Sequence, residues 1–309
     1  MNRVILLTSA VLLAASCLPV RAAPWTFAVM GGNSGSNDVP GVNTQVISKI
    51  ARDITVNNCR FVLVPGDLIP EKGDIQSQYA AWHSAMAPVS GANIPIYPVR
   101  GLHESAHDPG GAIWRTVFPN LPTNGPAGEV GLTYSFVFSN AFCVALDQYV
   151  RPHRINQAWL DAQFQANPRP HVFVFGNKPA FRVQQADCLG VNAAERDIFW
   201  ASIRHAGGRL YFCSHDYLYN SAAIIEGAQP PIFQIVIGTG GAPLHRWRGK
   251  YFDRRVKMES GNANLFGYNL ITVDKRAVIV EWKALLPQGG WKVLDSLAIR
   301  RPIRTPRPL

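Results

Sequence analysis

Charge is scarce in this 309-residue sequence: 16% of residues are Asp, Glu, Lys or Arg, and acids are the scarcer sign, 20 against 30 basic residues. Long apolar runs are missing too. After residue 15 no stretch approaches about 18 uninterrupted apolar residues, so no later segment is predicted to cross a bilayer as a helix. No two cysteines have zinc-site spacing, which argues against a cysteine-held metal. No serine stands in a Gly-x-Ser-x-Gly elbow, which argues against a serine hydrolase. The run Gly31-Gly32-Asn33-Ser34-Gly35-Ser36 follows an apolar segment but matches neither Gly-x-Gly-x-x-Gly nor the Walker lysine pattern. Internal repeats and composition breaks are absent as well.

What is present begins with an export signal over residues 1–22. Asn2 and Arg3 give a positive start, Val4–Ala15 is apolar, and Val20-Arg21-Ala22 is a small-x-small cleavage site before Ala23. The expected location is therefore secreted or periplasmic. A lesser alternative reads Ala14-Ala15-Ser16-Cys17 as a lipobox, with Cys17 lipidated. Cleavage removes Arg3 and Arg21 and no acid, lowering the formal charge of +10 by two. The remaining excess could favour anionic partners, although part of it sits in the Pro-stiffened tail 300–309. Four cysteines survive cleavage: Cys59, Cys143, Cys188 and Cys213. An even number in an oxidising compartment permits two disulfides in three pairings. Against this, Cys143 and Cys213 lie in strand-like apolar runs, where cysteine packs as a small hydrophobe.

Hydrophobic content of 47% is ample for a buried core. Apolar, β-rich runs at 26–30, 61–64, 94–99, 134–138, 142–146, 171–175, 210–213 and 232–237 predict strands. Val42, Val46, Ile50 and Ile54 share one helical face, as do Ile75, Tyr79, Trp82 and Met86. Asn192 with Glu195 resembles a capping box opening a helix that Gly207 closes. After Gly267 three antiparallel strands are expected at 268–273, 278–283 and 291–297. The predicted fold is α/β, a four-layer α-β-β-α sandwich of two packed mixed sheets flanked by helices, forming one domain over 23–299. Ligand loops then fall at the strand C-termini.

Those termini carry Gly31-Gly32-Asn33-Ser34, Pro65-Gly66-Asp67, Arg100-Gly101-Leu102-His103-Glu104, Gly176-Asn177-Lys178-Pro179, Ser214-His215-Asp216-Tyr217 and Gly238-Thr239-Gly240-Gly241. In order and spacing the first five resemble the motif series of the calcineurin-like metallophosphoesterases, including the purple acid phosphatase branch. Leu146-Asp147, Trp159-Leu160 and the Gly-Thr-Gly-Gly-Ala-Pro run at 238–243 add to the resemblance, which extends from Phe27 to about Trp282. It implies a site where two metal ions activate water and clamp a phosphate.

Residue by residue, most of the implied ligands are replaced. Gly32 stands at the first Asp position, Ser34 at the His two residues on, Leu102 at the metal-binding Asn, Asn177 at the lone His, and Tyr217 at the last His. Asp67 matches the carboxylate that bridges both metals, and His215 matches another ligand. Pro70 rather than Tyr lies three residues after Asp67, so the purple chromophore is not expected. One metal would keep Asp67 with Tyr217, the other Asp67 and His215 with Asn177. Such ions usually need three or four good donors. No cofactor is therefore expected; if any, it is a single weakly held divalent Mn, Zn or Fe.

The resemblance assigns His103 as the proton-donating and substrate-contacting residue. Asn33, His103, Asn177 and Lys178 with glycine-loop N–H groups could cradle a phosphate or phosphorylated ligand. Asp67 and His215 are expected within hydrogen-bond reach. Three readings stay open: an anion-binding protein without catalysis, a phosphoester hydrolase with a depleted metal centre around Asp67, His103 and His215, and an extracytoplasmic scaffold. For the last, the basic-aromatic stretch Arg246-Trp247-Arg248, Lys250-Tyr251 and Arg254-Arg255 is the contact surface. No specific nucleic acid is predicted, and the oligomeric state is not specified by the sequence.

Overall fold

The computed structural model describes residues 23–35 and 41–300. The signal segment 1–22, with Cys17, and the tail beyond Arg300 lie outside the described residues.

In chain order the first half comprises β1 (Trp25–Val29), α1 (Thr44–Val56), β2 (Val62–Val64), α2 (Ile75–Ala85), α3 (Ala87–Gly91) and β3 (Ile96–Pro98). Then come α4 (Leu102–His107), α5 (Ala112–Val117), β4 (Tyr134–Phe138), β5 (Ala141–Leu146), α6 (Gln157–Ala166) and β6 (His171–Gly176). The remainder is α7 (Ala193–His205), β7 (Leu210–Cys213), β8 (Tyr219–Ile224), β9 (Ile232–Ile237), β10 (Val256–Asn262), β11 (Gly267–Val273), β12 (Ala277–Leu285) and β13 (Trp291–Arg300). One sheet has the order β13-β12-β11-β1-β2-β3, and the other β10-β8-β9-β7-β6-β5-β4. Both are mixed: β1, β2 and β3 run parallel, as do β5, β6, β7 and β9, while hairpins extend the edges antiparallel. The expected sandwich is the observed one.

The strand predictions hold to within two residues except at β13, which runs three residues past its expected end, and β8 and β10 are additions. β10 exposes most of its length and reads as polar, so its sequence carries no apolar run. α1 buries Val46, Ile50 and Ile54 as its periodicity requires. The capping box at Asn192 is not made. Asn192 gives no side-chain cap and instead donates to the His153 carbonyl, while Glu195 pairs with Arg154. All four cysteines are free and buried, so they pack as small hydrophobes and no disulfide forms among them. Burial pushes the Cys59 thiol up to about 12, which keeps it protonated and unreactive.

Aromatic rings join the two sheets. Trp282 on β12 stacks on Tyr219 of β8 at 4.3 Å between centroids and 4° between planes. Phe27 on β1 meets Phe173 of β6 edge-on at 5.0 Å, and Tyr97 on β3 stacks on Phe136 of β4 at 3.9 Å. Helices cover the outer faces. α1 and α2 pack Ile47, Ile50, Ile54 and Trp82 onto the first sheet, and α6 and α7 pack Leu160, Phe199 and Trp200 onto the second.

Trp282→Ala should empty the centre of this inter-sheet seam and cost about 3–5 kcal/mol in urea denaturation. Val293→Ala, on the exposed part of β13, should stay within about 0.5 kcal/mol.

Candidate functional site

The parallel strands of both sheets end on one side, so the loops after β1, β2, β3, β6, β7 and β9 meet there. Their backbones are laced together. Gly32 N–H donates to Gly66 O and Asn33 N–H to Asp67 O, while Gly240 N–H reaches Gly31 O. Ser214 and His215 N–H both donate to Asn177 O. A buried ion pair, Arg100 Nε to Asp147 Oδ2 at 2.7 Å, ties the loop after β3 to the loop after β5.

Asp67 sits at φ +55°, an uncommon conformation for a residue with a side chain, and follows Gly66 at φ +87°. One buried carboxylate stabilises this turn. Glu104 Oε2 accepts from Gly101 N at 2.6 Å and Asp67 N at 3.0 Å, and Oε1 accepts from Leu68 N at 2.7 Å and Ile69 N at 3.0 Å. Successive backbone N–H groups in such a turn form an anion nest, and here the anion is part of the chain. Burial and the adjacent Asp67 push Glu104 up to about 7.

Asp67 is fully buried. Its Oδ2 accepts from Asn177 Nδ2 at 3.0 Å and lies 3.8 Å from His215 Nδ1. The expected contact with His215 is thus an ion-pair distance rather than a hydrogen bond. Asn177 holds Oδ2, and Oδ1 is turned toward Gly101, where it has no hydrogen-bond partner. His215 leans the other way, with Nε2 3.1 Å from Asp187 Oδ2. Asp187 also pairs with Lys178 Nζ, with His153 Nδ1 at 3.0 Å. Lys178 Nζ lies 4.7 Å over the Tyr149 ring. Burial would lower His215, but the two carboxylates outweigh it and raise the imidazole to about 9. Burial would raise Asp67, but His215, His103 and Asn177 hold it below its ordinary value. Asp187 is likewise held low by His215 and Lys178 against its partial burial. Two carboxylates therefore face two cations, an imidazolium and an ammonium.

The other anticipated residues are also engaged. His103 donates from Nδ1 to the Ile69 carbonyl at 2.9 Å, which leaves Nε2 to accept from Tyr217 OH at 3.2 Å. Asn33 is buried, donates to Gly240 O at 3.2 Å and accepts from Trp82 Nε1 at 3.2 Å, so it braces two loops instead of facing the cleft. Asn177 has acceptors all around Nδ2, at Pro65 O, Asp67 and Ser214 Oγ, and its Oδ1 receives Tyr149 OH. Asp187, Tyr149 and His153 were not legible as site residues. They lie outside the five motif loops, where nothing in the sequence marks them.

A two-metal centre does not fit these donors. Asn177 presents its N–H, not its oxygen, to Asp67. Gly32 has φ +66°, and a Cβ there would lie 2.7 Å from Gly238 O, so the backbone leaves no space for an aspartate. Leu102 is 38% exposed and has no lone pair. Among the described residues no three His, Cys, Asp or Glu side chains are grouped to hold a metal.

No family model matches the chain, and no curated protein matches it by sequence. Solved structures do. A purple acid phosphatase from yellow lupin (Lupinus luteus) seeds superimposes with TM-score 0.73 at 13% identity over 91% of this chain, which spans 55% of that protein. GAP50, described as the anchor in the inner membrane complex of Plasmodium, gives 0.64 at 14% over 90% of this chain and 89% of its own. A dimetal phosphatase from Danio rerio gives 0.59 at 11% over 89% and 98%. The chain has the calcineurin-like metallophosphoesterase fold.

His215 sets a pH dependence. Its folded value near 9 lies above the ordinary 6.5, so its stabilisation is full below about pH 6.5 and lost as pH rises through about 9. The unfolding free energy from urea denaturation should fall between pH 6.5 and 9.5 by on the order of 3 kcal/mol. His215→Gln should flatten that slope.

Proposed function

We propose that this chain is an exported, non-hydrolytic protein of the phosphoesterase fold, in which a protonated histidine has replaced the metal centre. The observation that carries the reading is the position of His215, with one ring nitrogen facing Asp67 at 3.8 Å and the other facing Asp187 at 3.1 Å. Two carboxylates without a cation would repel each other and resist ionisation. An imidazolium between them, with Lys178 beside it, neutralises the pair from within the chain. A divalent metal would have to expel that proton and then find donors that Gly32, Leu102 and Asn177 do not supply. The fold's hydrolytic chemistry draws on bound metal for its nucleophile and its charge stabilisation. The residues here instead hold a proton and orient one another.

A phosphate held in the cleft by Asn33, His103, Asn177 and Lys178 has less support, because each already has an internal partner. A second reading keeps one weak metal and some turnover. It is favoured by one feature, the buried Asp67 Oδ1 that lacks a partner. A scaffold role is the third, and GAP50 is an anchor with this fold.

Mature protein incubated with manganese, zinc and iron, then desalted, should retain less than about one metal per ten chains by mass spectrometry. Its hydrolysis of an aryl phosphate should not exceed that of Asp67→Asn. Close to one retained metal with Asp67-dependent turnover would replace this reading with the depleted-metal hydrolase.

A further inference from the structure

The observations point beyond the Asp67 cluster to the outer side of the loops next to it. There a groove of about 570 Å³ is lined by Arg182, Gln184, Gln185, His245, Arg246 and Arg248 with no carboxylate side chain in its wall. That volume lies within the range of small-ligand sites. We propose that this groove binds a short chain of linked phosphates.

Three features separate the groove from an ordinary solvated basic face. First, its arginines are uncommitted. Arg182, Arg246 and Arg248 make no ion pair among the described residues, whereas the nearby Arg196, Arg204 and Arg255 are consumed by Asp197, Glu226 and Asp253. Second, Arg182 is pre-oriented. Its guanidinium lies 3.9 Å over the Phe252 ring, and its Nε is buried with no hydrogen-bond partner. A fixed, unpaired guanidinium loses little rotamer freedom on binding and matches phosphate oxygens with a two-pronged donor. Third, the acid bonded to the Gln184–Gln185 wall is turned inward. Asp216 is buried beneath the groove and spends its oxygens on the N–H groups of Gln184 and Gln185 at 3.0 and 2.9 Å.

The aromatic residues decide between phosphate chains and nucleic acid. Single-stranded nucleic acid is gripped by bases stacking on free rings. Here Arg182 covers Phe252, and Trp247 packs against Tyr251 at 5.2 Å with its indole N–H buried. The Phe252 ring is 55% exposed but already carries Arg182 at 3.9 Å and Lys250 Nζ at 5.8 Å from its centroid. Several unpaired cations around one groove instead suit closely spaced charge, which a single phosphate lacks. This assignment does not depend on whether the Asp67 cluster hydrolyses anything.

The test is calorimetric titration of the mature protein with sodium tripolyphosphate, inorganic phosphate and a single-stranded oligodeoxynucleotide. Tripolyphosphate should bind saturably and at least about tenfold tighter than the other two, one tenfold step being about 1.4 kcal/mol. Arg182→Gln and the double variant Arg246→Gln/Arg248→Gln should each weaken it about tenfold, the loss of one charge-assisted contact. Arg276→Gln, which removes an exposed charge in the β11–β12 turn, should leave it unchanged, as should Asp67→Asn. Absence of saturation, an equal loss in Arg276→Gln, or preference for the oligonucleotide would each overturn the proposal. Phosphate release from tripolyphosphate that Asp67→Asn abolishes would instead overturn the non-hydrolytic reading and leave the groove in place.

Discussion

The Glu104 carboxylate receives four backbone N–H groups, from Gly101, Asp67, Leu68 and Ile69. Everything at the loop end of the sandwich depends on that contact. It holds Asp67 in a left-handed conformation that costs free energy on its own, and it joins the loop after β2 to the loop after β3. It also gives the nest an anion from within the chain. Glycine makes the contact feasible: a Cβ at Gly101 would lie 2.2 Å from Asp67 Oδ1. Because Glu104 titrates near neutrality, the same contact links the local order of the site to pH.

Around this frame the site behaves as a closed electrostatic unit. Asp67, His215, Asp187 and Lys178 alternate in sign within ion-pair distance, and Asp67, His215 and Lys178 are buried enough that salt screens them weakly. In a metal centre the carboxylates would be neutralised by ions from outside. Here the neutralising charges belong to the fold, and they arrive from loops far apart in sequence. The positions at which the sequence resemblance expects ligands are fixed by packing. At Gly32 the backbone has closed against Gly238, and at Asn177 the amide has turned its N–H toward the carboxylate that a metal would have bridged.

Charge that the interior cancels is left unbalanced on the outside. The groove beside His245 and Arg182 shares loops with the cluster but none of its carboxylates. The two regions therefore divide the electrostatics of the molecule, one holding paired charges of both signs, the other cationic. His245 connects them, its ring 5.0 Å from Tyr217, which in turn bonds His103.

The sequence by itself determined the layers. Apolar runs of strand length alternating with helical periodicities, such as Val46–Ile50–Ile54, leave few ways to bury both faces of two sheets, and glycine-bearing loops after strands fix where a site must lie. Its resemblance also sets Leu102 and Gly32, whose side chains have no lone pair to offer in any fold, at positions where the family has metal donors. Only the tertiary structure decided what took their place. Asp187 and His153 lie outside the five motif loops, and nothing local distinguishes them from solvated neighbours. The roles of Asn33 as a brace and Glu104 as the anion of a backbone nest depend, apart from Gly101, on partners 35 to 207 residues away. Charge pairing and hydrogen bonding act through space over a few ångströms, so their partners are fixed by how loops converge and not by spacing along the chain.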